Sequence, residues 1–191
     1  MNLHPPEVVA HTGVSCNYSF ESAPYTWEII ENFNGGTAVF TNPSSPIKCG
    51  GAPNKIMYLA CDYWKKKGIL HKCDVHYVSG AGVIFGVPEY AKTLQDIVKE
   101  FGIKTHFQSN THKIDPVDRK IFFTTKQNKE ALDTHFNKTI AGCYAISENQ
   151  DDSGALDVSM NFDFCHAVPP QSAPDFIKNT RFQMPIILMV M

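Results

Sequence analysis

From Thr37 onward the sequence alternates between two hydrophobic periods, and that alternation limits the chain to few folds. Thr37-Ala38-Val39-Phe40-Thr41 reads as a strand, Ile56 to Lys67 as a helix, and Asp74 to Ser79 as a second strand. A helix from Pro88 to Gly102 and a strand from Ile103 to Phe107 complete the series. Strands separated by helices of this length pair in parallel through right-handed crossovers. The expected fold class is therefore α/β, built on a parallel sheet.

The helix faces are written at i, i+3, i+4 spacing. Ile56, Leu59, Ala60, Tyr63 and Trp64 form one apolar stripe, closed by Lys65-Lys66-Lys67-Gly68. Lysines favour the negative end of the helix dipole and glycine ends the helix, so this charge run reads as a terminus rather than a binding patch. Tyr90, Leu94, Ile97, Val98 and Phe101 are expected to face inward from the next helix. Upstream, Trp27, Ile30 and Phe33 recur at helical spacing before Gly35-Gly36, whereas Met1 to Ser22 carry no period and read as a loop or linker.

After Phe107 the rhythm changes. Thr111 to Asp115, a turn at Pro116 to Asp118, and Arg119 to Thr124 read as an antiparallel hairpin or meander. Lys126 to Asp157 is polar and weakly periodic, which predicts a surface excursion. Phe162 to Val168 reads as a further strand stopped by Pro169-Pro170.

With 191 residues and a formal charge of −2, the chain suits one ordinary domain or somewhat more. It lacks the basic excess that a nucleic-acid backbone demands. Its six cysteines, Cys16, Cys49, Cys61, Cys73, Cys143 and Cys165, include no closely spaced pair, so no metal site is expected. No signal or transit segment is visible at the N-terminus, and the apolar run Pro185 to Met191 is too short to span a bilayer. The lone histidines His106, His112 and His135, and His166 beside Cys165, show no partner in the sequence and read as core or surface residues.

The chemistry concentrates in Pro46-Ile47-Lys48-Cys49-Gly50-Gly51-Ala52-Pro53-Asn54-Lys55. This stretch links the first strand to the helix that follows, at the carboxyl edge of the sheet where ligands of α/β proteins bind. Gly50 and Gly51 permit close backbone approach, and Pro53 suits the first helical turn. A thiol just ahead of a helix N-terminus, with Lys48 and Lys55 nearby, is in a setting that favours the thiolate. A small buried cysteine fits the same spacing, because free cysteine packs well in cores.

A second turn, Gly80-Ala81-Gly82-Val83-Ile84-Phe85-Gly86, lies between strand and helix as a dinucleotide fingerprint would. Its third glycine comes one place late, and Ile103 to Phe107 ends on no acid to hold a ribose. Packing of a helix start against a strand explains these glycines equally well.

Lys48 through Leu59 resembles the first redox-cysteine segment of mitochondrial sulfide:quinone oxidoreductases. The likeness continues through Asn17-Tyr18-Ser19, Thr26-Trp27, Gly82 to Val87 with Tyr90-Ala91, and His166-Ala167-Val168-Pro169-Pro170 with Ala173-Pro174-Asp175. It implies a Rossmann-like FAD/NAD(P)-binding domain with an antiparallel meander, corresponding to the central portion of such flavoproteins. It also implies FAD, hydrogen sulfide, ubiquinone and a small sulfur acceptor such as sulfite or glutathione as partners, at the mitochondrial inner-membrane surface. In that family two cysteines form a disulfide beside the flavin, sulfide opens it, and one sulfur remains as a persulfide. Cys49 matches the flavin-facing member and is the expected catalytic residue, while Lys55, Pro169 and Pro170 are expected to line the flavin pocket.

The likeness also has gaps. The glycine fingerprint for the FAD pyrophosphate and the second cysteine are missing, Cys143 and Cys165 do not match the partner segment, and Arg181 to Met191 resembles nothing in the family. The expectation is a family portion that does not turn over sulfide alone. Its expected divisions are 1–22 linker, 23–125 Rossmann-like domain with meander, 126–157 polar insertion, 158–180 return toward the flavin domain, and 181–191 atypical tail. Two other readings stay open, a related NADH:quinone-type flavoprotein and a non-catalytic segment that binds sulfur species through Cys49.

Overall fold

The computed structural model describes residues 12–136 and 144–172. Most of the N-terminal linker, Cys143, Ala173-Pro174-Asp175 and the atypical tail therefore lie outside the described residues. The strands are β1 (Val14–Ser15), β2 (Gly36–Asn42), β3 (Cys73–Ser79), β4 (Lys104–His106), β5 (Ser109–Asp115), β6 (Lys120–Thr125), β7 (Tyr144–Gln150), β8 (Leu156–Asn161) and β9 (Phe164–His166). The helices are α1 (Ala23–Asn32), α2 (Ala52–Lys66), α3 (Pro88–Phe101) and α4 (Lys129–His135).

Five strands form a parallel sheet in the order β1-β9-β2-β3-β4, and four form an antiparallel sheet in the order β5-β6-β8-β7. The expected α/β class with a meander is what the chain adopts. In β2 and β3, alternate side chains go to opposite faces, as a pleated strand requires. Ala38, Phe40, Val75 and Tyr77 join a core with Ile30 and Phe33 of α1 and Met57, Ala60 and Trp64 of α2. Val39 and Val78 pack the other way, against Ile121, Phe123, Val158 and Met160 of the antiparallel sheet. The parallel sheet is thus covered by helices on one face and by the meander on the other.

Helices α1, α2 and α3 each carry a proline in the first turn, where its missing N–H costs nothing. Gly102 ends α3 in the left-handed conformation, at φ 67°, with its N–H bonded to the carbonyls of Lys99 and Val98. Trp64 is the anchor of the helical layer. It is fully buried, its Nε1 donates to the Ile30 carbonyl at 2.9 Å, and its ring lies 4.8 Å from that of Phe33.

Two helix faces differ from the sequence expectation. The buried stripe of α2 is Pro53, Asn54, Met57, Ala60, Cys61 and Trp64, while Leu59 is 57% exposed. Starting the helix at Ala52 rather than Ile56 brings Pro53 and Asn54 onto the face that meets the sheet. Tyr90, expected inside, is 64% exposed beside Phe85, because the face of α3 that meets the core carries Ala91, Leu94, Val98 and Phe101.

Two stretches without a clear period also carry structure. Val14–Ser15, within the residues read as a linker, pairs in parallel with Cys165–His166 as an outer strand. Within 126–157 the chain forms α4 and β7, and Leu132, Phe136 and Leu156 enter the core between the sheets. A two-residue strand and a one-sided edge strand leave no periodicity to read.

Candidate active site

Three chain exits meet at the carboxyl edge of the parallel sheet. Strand β2 leads through the 43–51 turn into α2 and on to β3, while its other neighbour, β9, exits through Ala167 to Gln171. Neighbouring strands whose connections leave in different directions open a crevice between them, the usual ligand position in α/β sheets. The exit of β1, Cys16 to Ser19, forms a third wall.

Cys49 lies in the β2–α2 turn and is exposed. Its carbonyl accepts from the Ala52 N–H at 3.1 Å, which shapes the turn, and from the Tyr18 hydroxyl at a long 3.4 Å. The Lys48 N–H donates to Gln171 Oε1 at 2.8 Å, tying this turn to the exit of β9. Burial pushes the Tyr18 phenol pKa up and the Gln171 amide opposes that shift, while Cys49 acts both ways, its side chain raising the pKa and its backbone lowering it. Tyr18, Cys49 and Gln171 thus share one neighbourhood although they come from three separate strand exits.

The remaining expected residues sit around the same edge. Lys55 is exposed in the first turn of α2, Pro169 is half-buried and Pro170 is exposed. Thr41, at the end of β2, holds the β9 exit from below, accepting from the Val168 N–H at 2.8 Å and donating to the His166 carbonyl at 3.4 Å. Lys48 N–H to Gln171 and Thr41 to Val168 therefore fasten the Pro169-Pro170 turn beside the cysteine turn.

The other described thiols stand in different surroundings. Cys16, Cys61 and Cys165 are buried and Cys73 is half-buried. Desolvation raises the pKa of each, that of Cys73 to about 11 against the opposing pull of Lys67. A neutral buried thiol is a poor nucleophile. Among the described cysteines, Cys49 is the exposed one.

His166 lies at the base of this edge. It is buried, and its Nε2 accepts the Asn17 N–H at 3.2 Å, which fixes the proton on Nδ1, an atom without a hydrogen-bond partner. Burial holds its pKa down to about 4, so the ring is neutral at pH 7. Two histidines that look solitary in the sequence are paired. His106 Nε2 is 2.9 Å from His76 Nδ1 with both rings buried, and His112 Nε2 is 3.0 Å from an Asp157 carboxylate oxygen. His135 meets His106 edge-on. The first pairing follows from β3 and β4 lying side by side, and the second from β5 and β8 flanking β6 in the antiparallel sheet, contacts distant in sequence.

A cleft of about 520 Å³ opens between the β2–α2 turn and the glycine-rich β3–α3 turn, lined in part by Ser44, Ser45, Gly80 and Ile84. Gly80 serves packing here. A Cβ on Gly80 would lie 2.5 Å from the Ser44 backbone nitrogen, and the Ile84 carbonyl accepts from Asn54 Nδ2 at 3.0 Å. No group of three or more metal-ligating side chains occurs among the described residues, and no described helix is long and apolar enough to cross a membrane.

No protein-family model matches the chain. The mitochondrial sulfide:quinone oxidoreductase of Mus musculus is 33% identical over 175 residues, 92% of this chain and 33% of that protein. The enzyme of the same name from Dictyostelium discoideum is 31% identical over 91% of this chain and 32% of that protein. The chain spans about a third of the length of the curated relatives it matches. The solved sulfide:quinone oxidoreductase of Aquifex aeolicus superposes with a TM-score of 0.59, covering 87% of this chain and 33% of that one at 15% identity, which speaks to the fold alone. The resemblance to mitochondrial sulfide:quinone oxidoreductases read from the sequence is borne out.

Proposed function

We propose that this chain, similar over most of its length to about a third of a mitochondrial sulfide:quinone oxidoreductase, carries the sulfur-handling cysteine of such an enzyme. The reaction is oxidation of hydrogen sulfide with ubiquinone as final electron acceptor. The observation that carries this reading is the position of Cys49: exposed, in the turn after β2, across the strand-end crevice from Pro169 to Gln171.

In this reading Cys49 is one half of a disulfide with a second cysteine. Hydrosulfide attacks the partner sulfur, the S–S bond breaks, the partner becomes a persulfide and Cys49 leaves with the electron pair as a thiolate. The proton of the persulfide group is lost to water. Exchange of this kind runs in line through three sulfurs, so the Cys49 sulfur must be reachable from the crevice. A sulfite- or glutathione-like acceptor then takes the outer sulfur from the persulfide.

Part of a flavin is proposed at this edge. Pro169, Pro170 and Lys55 would line its ring system. The residues after β1, Cys16-Asn17-Tyr18, form no glycine turn for a pyrophosphate, so the described residues fit only one edge of that group. FAD, when bound, would supply the two-electron acceptor between the thiolate and the quinone. The location proposed is the mitochondrion, in keeping with the names of the relatives, and within it the inner-membrane surface that the family resemblance implies.

The reading is tested by exposing the purified 191-residue chain to inorganic polysulfide, a donor of sulfane sulfur that needs no second cysteine. Alkylation and peptide mapping should place the added sulfur on Cys49, and Cys49→Ser should abolish it. Sulfur spread evenly over the cysteines, or absent from Cys49, refutes it.

A further inference from the structure

The β2–α2 turn is held in an unusual way. Its exposed residues 48 to 50 would be expected to move freely, since loop backbone at a surface is the least restrained part of a fold. Instead the Lys48 N–H is committed to a side chain 123 positions away, at 2.8 Å. One residue on, the Cys49 carbonyl takes a second long-range contact from Tyr18, 31 positions away. These two contacts flank the cysteine, one on the Ile47–Lys48 peptide and one on the Cys49–Gly50 peptide.

We infer that Gln171, with Tyr18 as a weaker second arm, is a positioning residue that fixes the direction in which Cys49 presents its sulfur. The inference rests on the reading of Cys49 as the sulfur-handling thiol and gives that site a control no sequence motif records. Gln171 suits the task because its own place is secured. It follows Pro169-Pro170, whose rings restrict the backbone, and the strand before them is fastened through Thr41 to Val168 and His166. The carboxamide thus reaches Lys48 from an anchored base rather than from a free loop. Only its oxygen can accept the Lys48 N–H, so Nε2 is turned inward; it is buried, and the Tyr18 phenol is the polar neighbour that feels it. A buried amide nitrogen and a half-buried phenol in one place restrict each other, and both restrict the turn.

The chemical consequence follows from exchange geometry. Attack and departure at sulfur need three sulfurs nearly in line, so a freely turning Cys49 spends less time in the productive orientation. Removing one neutral hydrogen bond shifts a local equilibrium by about fivefold.

Three variants of the 191-residue chain test this: Gln171→Ala, Gln171→Glu, which keeps the acceptor oxygen, and Tyr18→Phe. Hydrogen exchange at the Lys48 amide reads the clamp, and the rate of Cys49 alkylation by iodoacetamide against pH reads its effect on the thiol. Expected are a Lys48 amide that exchanges about fivefold faster in Gln171→Ala and is protected again in Gln171→Glu. The alkylation profile should change in Gln171→Ala, change less in Tyr18→Phe, and retain the shielded amide in Gln171→Glu. A Lys48 amide already unprotected in the parent chain, or alkylation profiles identical in all four proteins, overturns the inference. If polysulfide leaves the parent Cys49 unmodified while exchange and alkylation respond as expected, the clamp stands and the sulfur-transfer reading falls.

Discussion

His166 makes a quantitative prediction about acid. Its folded pKa, pulled by burial from an ordinary 6.5 to about 4, lies below its unfolded one. The unfolded chain therefore binds the extra proton first, and stability falls as pH drops through that interval. The contribution is intact above pH 6.5 and is lost progressively down to about pH 4. At about 1.4 kcal/mol per pH unit for one proton, the whole interval amounts to roughly 3 kcal/mol, a large share of the ~5–15 kcal/mol that holds a domain together. His76 and His106 shift in the same direction, mainly through desolvation, and Lys104 adds to it while Asp74 opposes it. To isolate His166, urea unfolding of the parent chain and of His166→Gln is measured at pH 7, 6, 5 and 4.5. Glutamine offers an acceptor for the Asn17 N–H and does not titrate. The gap between the two stability curves should change by about 1.4 kcal/mol per unit below pH 6, with the parent losing more. Parallel curves would show that the ring does not stay neutral in the folded protein, and the burial argument would fail.

Other outcomes follow from packing. Gly80→Ala forces a methyl against Ser44 backbone at 2.5 Å and should cost about 1–3 kcal/mol in chemical denaturation. Gly82→Ala, whose new methyl meets only ordinary contacts with Gln108 at 3.9 Å, should stay within about 0.5 kcal/mol of the parent. Equal effects at the two positions would contradict the loop packing described here. Trp64→Ala removes the anchor between α1, α2 and the sheet and should lower unfolding stability by about 3–5 kcal/mol; a loss below about 1 kcal/mol would mean the site collapses around it.

The sheet was legible because β2, β3 and their helices each carry a local period, and Pro53, Pro88 and Gly102 mark boundaries through backbone chemistry alone. The position of Cys49 could be read for the same reason, as the consequence of a strand followed by glycines and a helix. What surrounds it could not. Gln171 reaches Lys48 across 123 residues, and Asn17 reaches His166 across 149. Such contacts exist only once β9 inserts between β1 and β2, an arrangement that no local pattern dictates. Nothing local marks Asn17-Tyr18-Ser19, Thr41 or Gln171 as neighbours of Cys49; only the family likeness links the first of these to the site. The buried face of α2 was not legible because its first turn, Ala52 to Lys55, sets Pro53 and Asn54 against the sheet, whereas the apolar period begins only at Ile56.

The central claim is that one sulfur stands ready at the strand-end crevice while the other described thiols are shielded. Brief alkylation of the native chain with iodoacetamide, followed by mass-spectrometric mapping of every cysteine, tests it most directly. The account predicts label on Cys49 first, slower label on half-buried Cys73, and label on Cys16, Cys61 and Cys165 only after unfolding. Native labelling of Cys61 or Cys165 at the rate of Cys49, or a Cys49 that stays unlabelled, would contradict it.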